Sequence, residues 1–148
     1  MPQQLAIHKG PVQTAKYLIK NVRHGTYLEL PDENDATEVV SGFEENRSEQ
    51  KWEITDLDGN KFWIMNSGTK NYATSGHRAS EGDSIVGRST KQQFRILETG
   101  KIGQYVISPT DTSTELYWGF TDSEFGSPVK LHPVPNNDKN QWFLIPVE

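Results

Sequence analysis

The stretch Gln50–Lys51–Trp52–Glu53–Ile54 constrains the fold more than any other, because it returns twice. It reappears as Gln92–Gln93–Phe94–Arg95–Ile96 and as Asn140–Gln141–Trp142–Phe143–Leu144. Each copy sets an amide side chain two residues before an aromatic ring, and the ring two residues before an aliphatic side chain. The rings lie 42 and 48 residues apart, as expected of one structural unit used three times. In an extended chain, residues two apart face the same way, so the ring and the aliphatic share a face. Each copy therefore predicts a half-buried strand that closes a unit.

The segments between the copies repeat as well. The first unit (residues 16–59) opens on Tyr17 and Ile19, turns at His24–Gly25, and continues through Thr26–Leu30, where Leu28 and Leu30 share a face. Glu38–Ser41 predicts a third short strand, and Gln50–Ile54 closes the unit. In the second unit (60–100), Phe62 and Ile64 repeat Tyr17 and Ile19, Tyr72–Thr74 repeats Tyr27–Glu29, and Ser84–Gly87 repeats the third strand. The third unit (101–148) runs through Tyr105–Ile107, Leu116–Phe120 and Val129–Leu131 to its closing strand. Twelve short strands in three like units predict an all-β fold, a β-trefoil. In that fold a six-stranded barrel is capped by three hairpins, and the closing rings meet around a pseudo-threefold axis. Residues 1–15, broken by Gly10–Pro11, read as an N-terminal arm.

A chain of 148 residues is long enough for one domain with a real core. Only 33% of its residues are apolar, and 12 Gly with 8 Pro favour turns and short strands over long helices. The net charge of −5 provides no basic face for nucleic acid. No apolar run approaches the roughly 20 residues that insertion across a membrane requires. The start MPQQLAIHKGPVQTA lacks the pattern of a secretion signal, and cysteine is absent, so the expected location is the cytoplasm.

The residues that carry chemistry are sparse. His8, His24, His77 and His132 match no metal-ligand spacing, and neither a phosphate-binding Gly-rich loop nor a nucleophile elbow occurs. Neither an enzyme nor a cofactor is expected. Asn46–Arg47–Ser48 matches a glycosylation sequon and reads as a loop.

The three triplets Gln50–Lys51–Trp52, Gln92–Gln93–Phe94 and Asn140–Gln141–Trp142 resemble the Q-x-W repeats of the ricin B-chain-like lectins, over about residues 16–148. Ser48–Ile54 and Tyr117–Trp118–Gly119 are similar to the small cysteine-free trefoil lectins of mushrooms. The resemblance implies a cytoplasmic, defence-related protein that binds glycans or glycoproteins. It also implies a site with an acidic residue on the second strand, an aromatic platform after the third, and an amide pair before the closing ring. Unit one matches in part: Glu29 stands in the acidic position, Glu49 replaces Asn, Gln50 fits, and Phe43 is the nearby ring. Unit two has Thr74 in the acidic position. Unit three has Gly119 there, yet it carries Trp118, Asp122, His132 and Asn140.

A sugar presents an apolar C–H face and a ring of hydroxyls, so its site needs an exposed ring with a few fixed polar groups. On that ground Trp118, Asp122, His132 and Asn140 form the first candidate site, and Glu29, Phe43, Glu49 and Gln50 the second. Trp118 has two readings. Alignment with Leu28 and Ala73 puts it in the core, whereas its resemblance to the ligand-stacking Trp of the mushroom lectins puts it outside. Phe125–Pro135 with Trp142–Ile145 resembles the last unit of the mycocypins, trefoil inhibitors of cysteine proteases. That resemblance implies protease inhibition as the alternative. A trefoil interaction module is the third reading.

Overall fold

The structure, a computed structural model, describes residues 6–147; residues 1–5 of the expected arm and Glu148 lie outside the described residues. Unit one holds β1 (Ala15–Asn21), β2 (Tyr27–Glu29), β3 (Thr37–Glu38), β4 (Val40–Gly42) and β5 (Trp52–Asp56). Unit two holds β6 (Lys61–Asn66), β7 (Tyr72–Thr74), β8 (Val86–Arg88) and β9 (Phe94–Glu98). Unit three holds β10 (Tyr105–Pro109), β11 (Tyr117–Gly119), β12 (Lys130–His132) and β13 (Trp142–Val147). None of the described helical segments is long and apolar enough to cross a membrane.

The first and last strands of the units close a barrel. Antiparallel pairing runs from β1 to β5, β6, β9, β10 and β13 and returns to β1. Six of the remaining strands form hairpins, β2 with β4, β7 with β8 and β11 with β12, which cap one end, and the short β3 pairs with β8. A six-stranded barrel under three hairpins is a β-trefoil.

The three hairpins are tied to one another at the cap. Val39 N–H donates to Ile85 O at 2.9 Å, Ile85 N–H to Val129 O at 3.0 Å, and Val129 N–H to Val39 O at 2.9 Å. This cycle explains a departure from the predicted third strand of unit one. Glu38–Ser41 is split into β3 and β4 because Val39 turns its amide away from its hairpin and toward the neighbouring unit.

Trp52, Phe94 and Trp142 are fully buried, as the repeat predicts. Two of them carry a further bond: Trp52 Nε1 donates to Leu28 O at 3.1 Å, and Trp142 Nε1 to Trp118 O at 3.0 Å. Each indole thus stitches a closing strand to the second strand of its own unit. The described part of the N-terminal arm packs against the barrel. His8 N–H donates to Leu144 O, Tyr105 Oη to Gly10 O, and the Gly10 and Gly103 amides both donate to Glu98. Val12 is 5% exposed and joins the core.

Trp142→Ala removes a large ring from the core and leaves the Trp118 carbonyl without its partner. Chemical unfolding should show a loss of about 3–5 kcal/mol.

Candidate functional site

Strand register makes the three units comparable residue by residue. Gly42, Arg88 and His132 pair with Tyr27, Tyr72 and Tyr117, so they occupy equivalent positions at the end of the third strand. Glu29, Thr74 and Gly119 are equivalent on the second strand, and Gln50, Gln92 and Asn140 precede the closing rings. Each unit thus builds a cradle from the same three positions with different side chains.

The amides brace the cradles. Gln50 is buried; its Oε1 accepts the Glu45 N–H at 2.8 Å, and its Nε2 donates to Glu29 Oε1 at 2.9 Å and to the Phe43 carbonyl. Gln92 Oε1 accepts the Ser75 N–H at 2.8 Å. Asn140 Nδ2 donates to Val134 O at 2.8 Å, and Gln141 Nε2 to Pro135 O at 2.8 Å. A buried amide with its bonds made holds a loop in shape.

In unit one the structure brings Glu29, Gln50 and the Phe43 backbone together. It adds a residue that sequence reasoning missed. Arg47 Nη2 lies 2.7 Å from Glu29 Oε1 and 3.2 Å from Glu45 Oε1, and Nη1 lies 4.0 Å from Glu49 Oε1. The bond to Glu29 raises the guanidinium pKa further. Nothing in the spacing pairs Arg47 with Glu29, because the contact forms only once the hairpin and the closing turn Ser48–Gln50 have folded together. The Glu49 carbonyl accepts the Leu30 N–H at 3.0 Å and Asn66 Nδ2 at 2.8 Å. Its backbone therefore belongs to the frame, and only its carboxylate faces the arginine.

Phe43 is 62% exposed and stacks on Phe125, 51% exposed, with ring centroids 3.6 Å apart. The loop carrying Phe125 is fastened to β4: Ser41 N–H donates to Ser127 O, Gly126 N–H to Ser41 O, and Ser41 Oγ to Glu124 O. The exposed ring pair therefore stands on a rigid support drawn from two units.

Unit three corrects the first candidate site. The Trp118 ring is fully buried and meets Phe94 edge-on at 5.0 Å. Its assignment as a sugar-stacking ring is wrong, and packing gives the reason. Unit two carries the smaller residues Ala73 and Phe94 at positions where unit one has Leu28 and Trp52, and Trp118 fills the volume they leave. Asp122 does not reach the cradle either. Its Oδ1 accepts the Ser127 hydroxyl at 2.5 Å and the Glu124 N–H at 2.9 Å, which hold its carboxyl below the usual range and pin its own turn. His132 and Asn140 do come together, with Thr121, Asn137 and Lys139, around a cavity of about 200 Å³. Gly119 must be a glycine there, since a Cβ would overlap Asn140 Oδ1 and press on the His132 ring.

Unit two differs in its frame. Asn21 Nδ2 donates to Lys139 O and Asn66 Nδ2 to Glu49 O, each bracing a short 3-10 turn, Asp138–Asn140 and Ser48–Gln50. Asn21 and Asn66 pair with Trp142 and Trp52; the residue that pairs with Phe94 is Pro109, which has no amide side chain. Thr90–Gln92 forms no 3-10 turn. A cavity of about 210 Å³ lies there among Thr74, His77, Arg88, Thr90, Lys91, Gln92 and Asp111.

The comparisons agree with this architecture. The chain belongs to the ricin-type β-trefoil lectin domain-like family, whose sequence profile matches residues 2–87. Its backbone superposes on the Rhizoctonia solani agglutinin with a TM-score of 0.83 at 20% identity, covering 92% of this chain and 97% of that one. The Macrolepiota procera ricin B-like lectin, solved in complex with lactose, gives 0.81 at 16% identity over 92% and 98%. The designed threefold-symmetric protein ThreeFoil gives 0.82 at 17% over 89% and 99%. Curated protein sequences return no match.

Two histidines at the cap are shifted by their surroundings. Burial pushes His132 below the usual histidine value of about 6.5, and burial aided by Lys139 and Arg23 does the same to His24. The unfolded chain then takes up protons before the folded one, so stability falls as pH drops below about 6.5. Denaturation midpoints should decline between neutral pH and mild acid, before the carboxylates titrate. Replacing both histidines with Gln should flatten that decline.

Proposed function

We propose that this protein is a lectin that binds glycans without transforming them, acting in defence within the cytoplasm. The carrying observation is the triple cradle: three register-equivalent sites whose amides are locked into the frame, leaving the outer side chains to face a ligand. Membership of the ricin-type family supports carbohydrate binding, and lactose bound to the Macrolepiota lectin supports a sugar as the ligand class. The absence of cysteine supports a reducing compartment.

Unit one is the best seat for a neutral sugar. The Phe43–Phe125 pair offers an exposed apolar surface for a C–H face, and Glu29, Arg47 and Glu49 offer directional polar partners beside it. His132 and Asn140 give unit three a smaller cradle in which the imidazole replaces the ring assigned to Trp118. Several weak sites on one rigid body would raise avidity on a multivalent glycan surface.

A glycan array on the purified protein, run beside papain and trypsin inhibition assays, tests the reading. Glycan binding with both proteases unaffected is the expected result. Stoichiometric protease inhibition without glycan signal would transfer the function to the mycocypin-like alternative. Phe43→Ala with Phe125→Ala should lower affinity for a neutral glycan about tenfold, roughly the contribution of two aromatic contacts. Since both rings are exposed, the unfolding midpoint should barely move.

A further inference from the structure

The unit-two cradle reverses the charge of the unit-one cradle. Where unit one places the Glu29 carboxylate, unit two places the buried Thr74 hydroxyl, and where unit one ends its third strand on Gly42, unit two ends on Arg88. The cavity between them is lined by two cations, Arg88 and Lys91, against a single carboxylate, Asp111, on a chain whose net charge is −5. A local excess of cations on an acidic protein needs a physical account.

The counter-charges within the cavity are already engaged or screened. Asp111 Oδ2 accepts the Arg78 N–H at 3.1 Å and faces His77 Nδ1 at 3.0 Å. Arg88 Nη1 meets Asp35 at 2.9 Å, but that carboxylate is 72% exposed and solvent-screened, so the pair holds the guanidinium weakly. Lys91 Nζ stands 4.0 Å over the Trp63 ring and has no carboxylate within salt-bridge distance among the described residues. The indole face fixes the ammonium in position at little cost to its charge. The cavity, at about 210 Å³, is smaller than the roughly 300–1,000 Å³ of drug-sized sites and suits a single sugar residue.

We propose that the unit-two cradle binds an anionic sugar residue, its carboxylate or sulfate held between Arg88 and Lys91 and its hydroxyls on the Thr90 side of the cavity. The proposal rests on the lectin reading and gives one of its three sites a ligand class. Charge-assisted bonds from a guanidinium fork match either anion, whereas a neutral sugar would leave Arg88 with only its solvent-screened Asp35 pair and Lys91 with no anionic partner. The protein would then recognise glycans with two chemistries, neutral at unit one and acidic at unit two.

The test titrates the full chain by calorimetry with three matched probes: a neutral disaccharide, its sulfated form and its uronic-acid form. At low salt the acidic forms should bind about tenfold tighter than the neutral one, and high salt should erase the difference. Arg88→Gln with Lys91→Gln should abolish the preference, with folding checked by the unfolding midpoint. Arg88→Lys should keep part of it. A preference for only one of the two acidic forms would support the proposal and identify the anion. Neutral binding without acidic preference would overturn this proposal alone, as would a preference that survives the double substitution. Binding of none of the probes would overturn the lectin reading together with it.

Discussion

Three buried backbone amides hold the cap of this protein together. Val39, Ile85 and Val129 are each fully buried, and each donates its N–H to the next in a closed cycle. A buried amide without a partner is costly, so no hairpin can leave the cap without stranding groups on both neighbours. The indoles of Trp52 and Trp142 act in the same sense one layer down, joining closing strands to second strands. The hairpins are thereby tied to one another across units, and the barrel is tied to the cap within units one and three. That coupling positions every cradle, because each is assembled from a second strand, a third strand and a closing turn.

With the frame held this way, the three copies can diverge at their outer positions. The internal amides keep one structural task while the residues around them change. Gln50, Gln92 and Asn140 brace loops in all three units, yet the second-strand position carries a carboxylate, a hydroxyl and a glycine in turn. The core diverges in a compensated manner as well. The smaller pair Ala73 and Phe94 in unit two is balanced by the larger pair Trp118 and Trp142 in unit three, with Trp118 edge-on to Phe94. Packing density is satisfied across the whole core, so volume missing from one unit is supplied by another. The same freedom at the surface lets Phe125 of unit three complete the aromatic surface of unit one.

The amide–x–aromatic repeat and the alternation around it determined the number of units, the strands and the burial of Trp52, Phe94 and Trp142. These are local properties: side chains two apart on a strand share a face whatever the rest of the chain does. The meeting of Glu29 with Gln50, and of His132 with Asn140, was also readable, because it follows from their positions within a repeat. Other features depended on how loops and units come together in the folded chain. Trp118 could face either way on its strand, and only the volume beside Phe94 decided that it turns inward. Arg47 found Glu29, and Phe43 found Phe125, across distances in sequence that no periodicity marks. The cationic cavity of unit two likewise required the fold, since Pro109 in place of a bracing Asn and Asp111 beside His77 come from the next unit along the chain. Spacing reports what one unit does alone; contacts between units exist only after the barrel has closed.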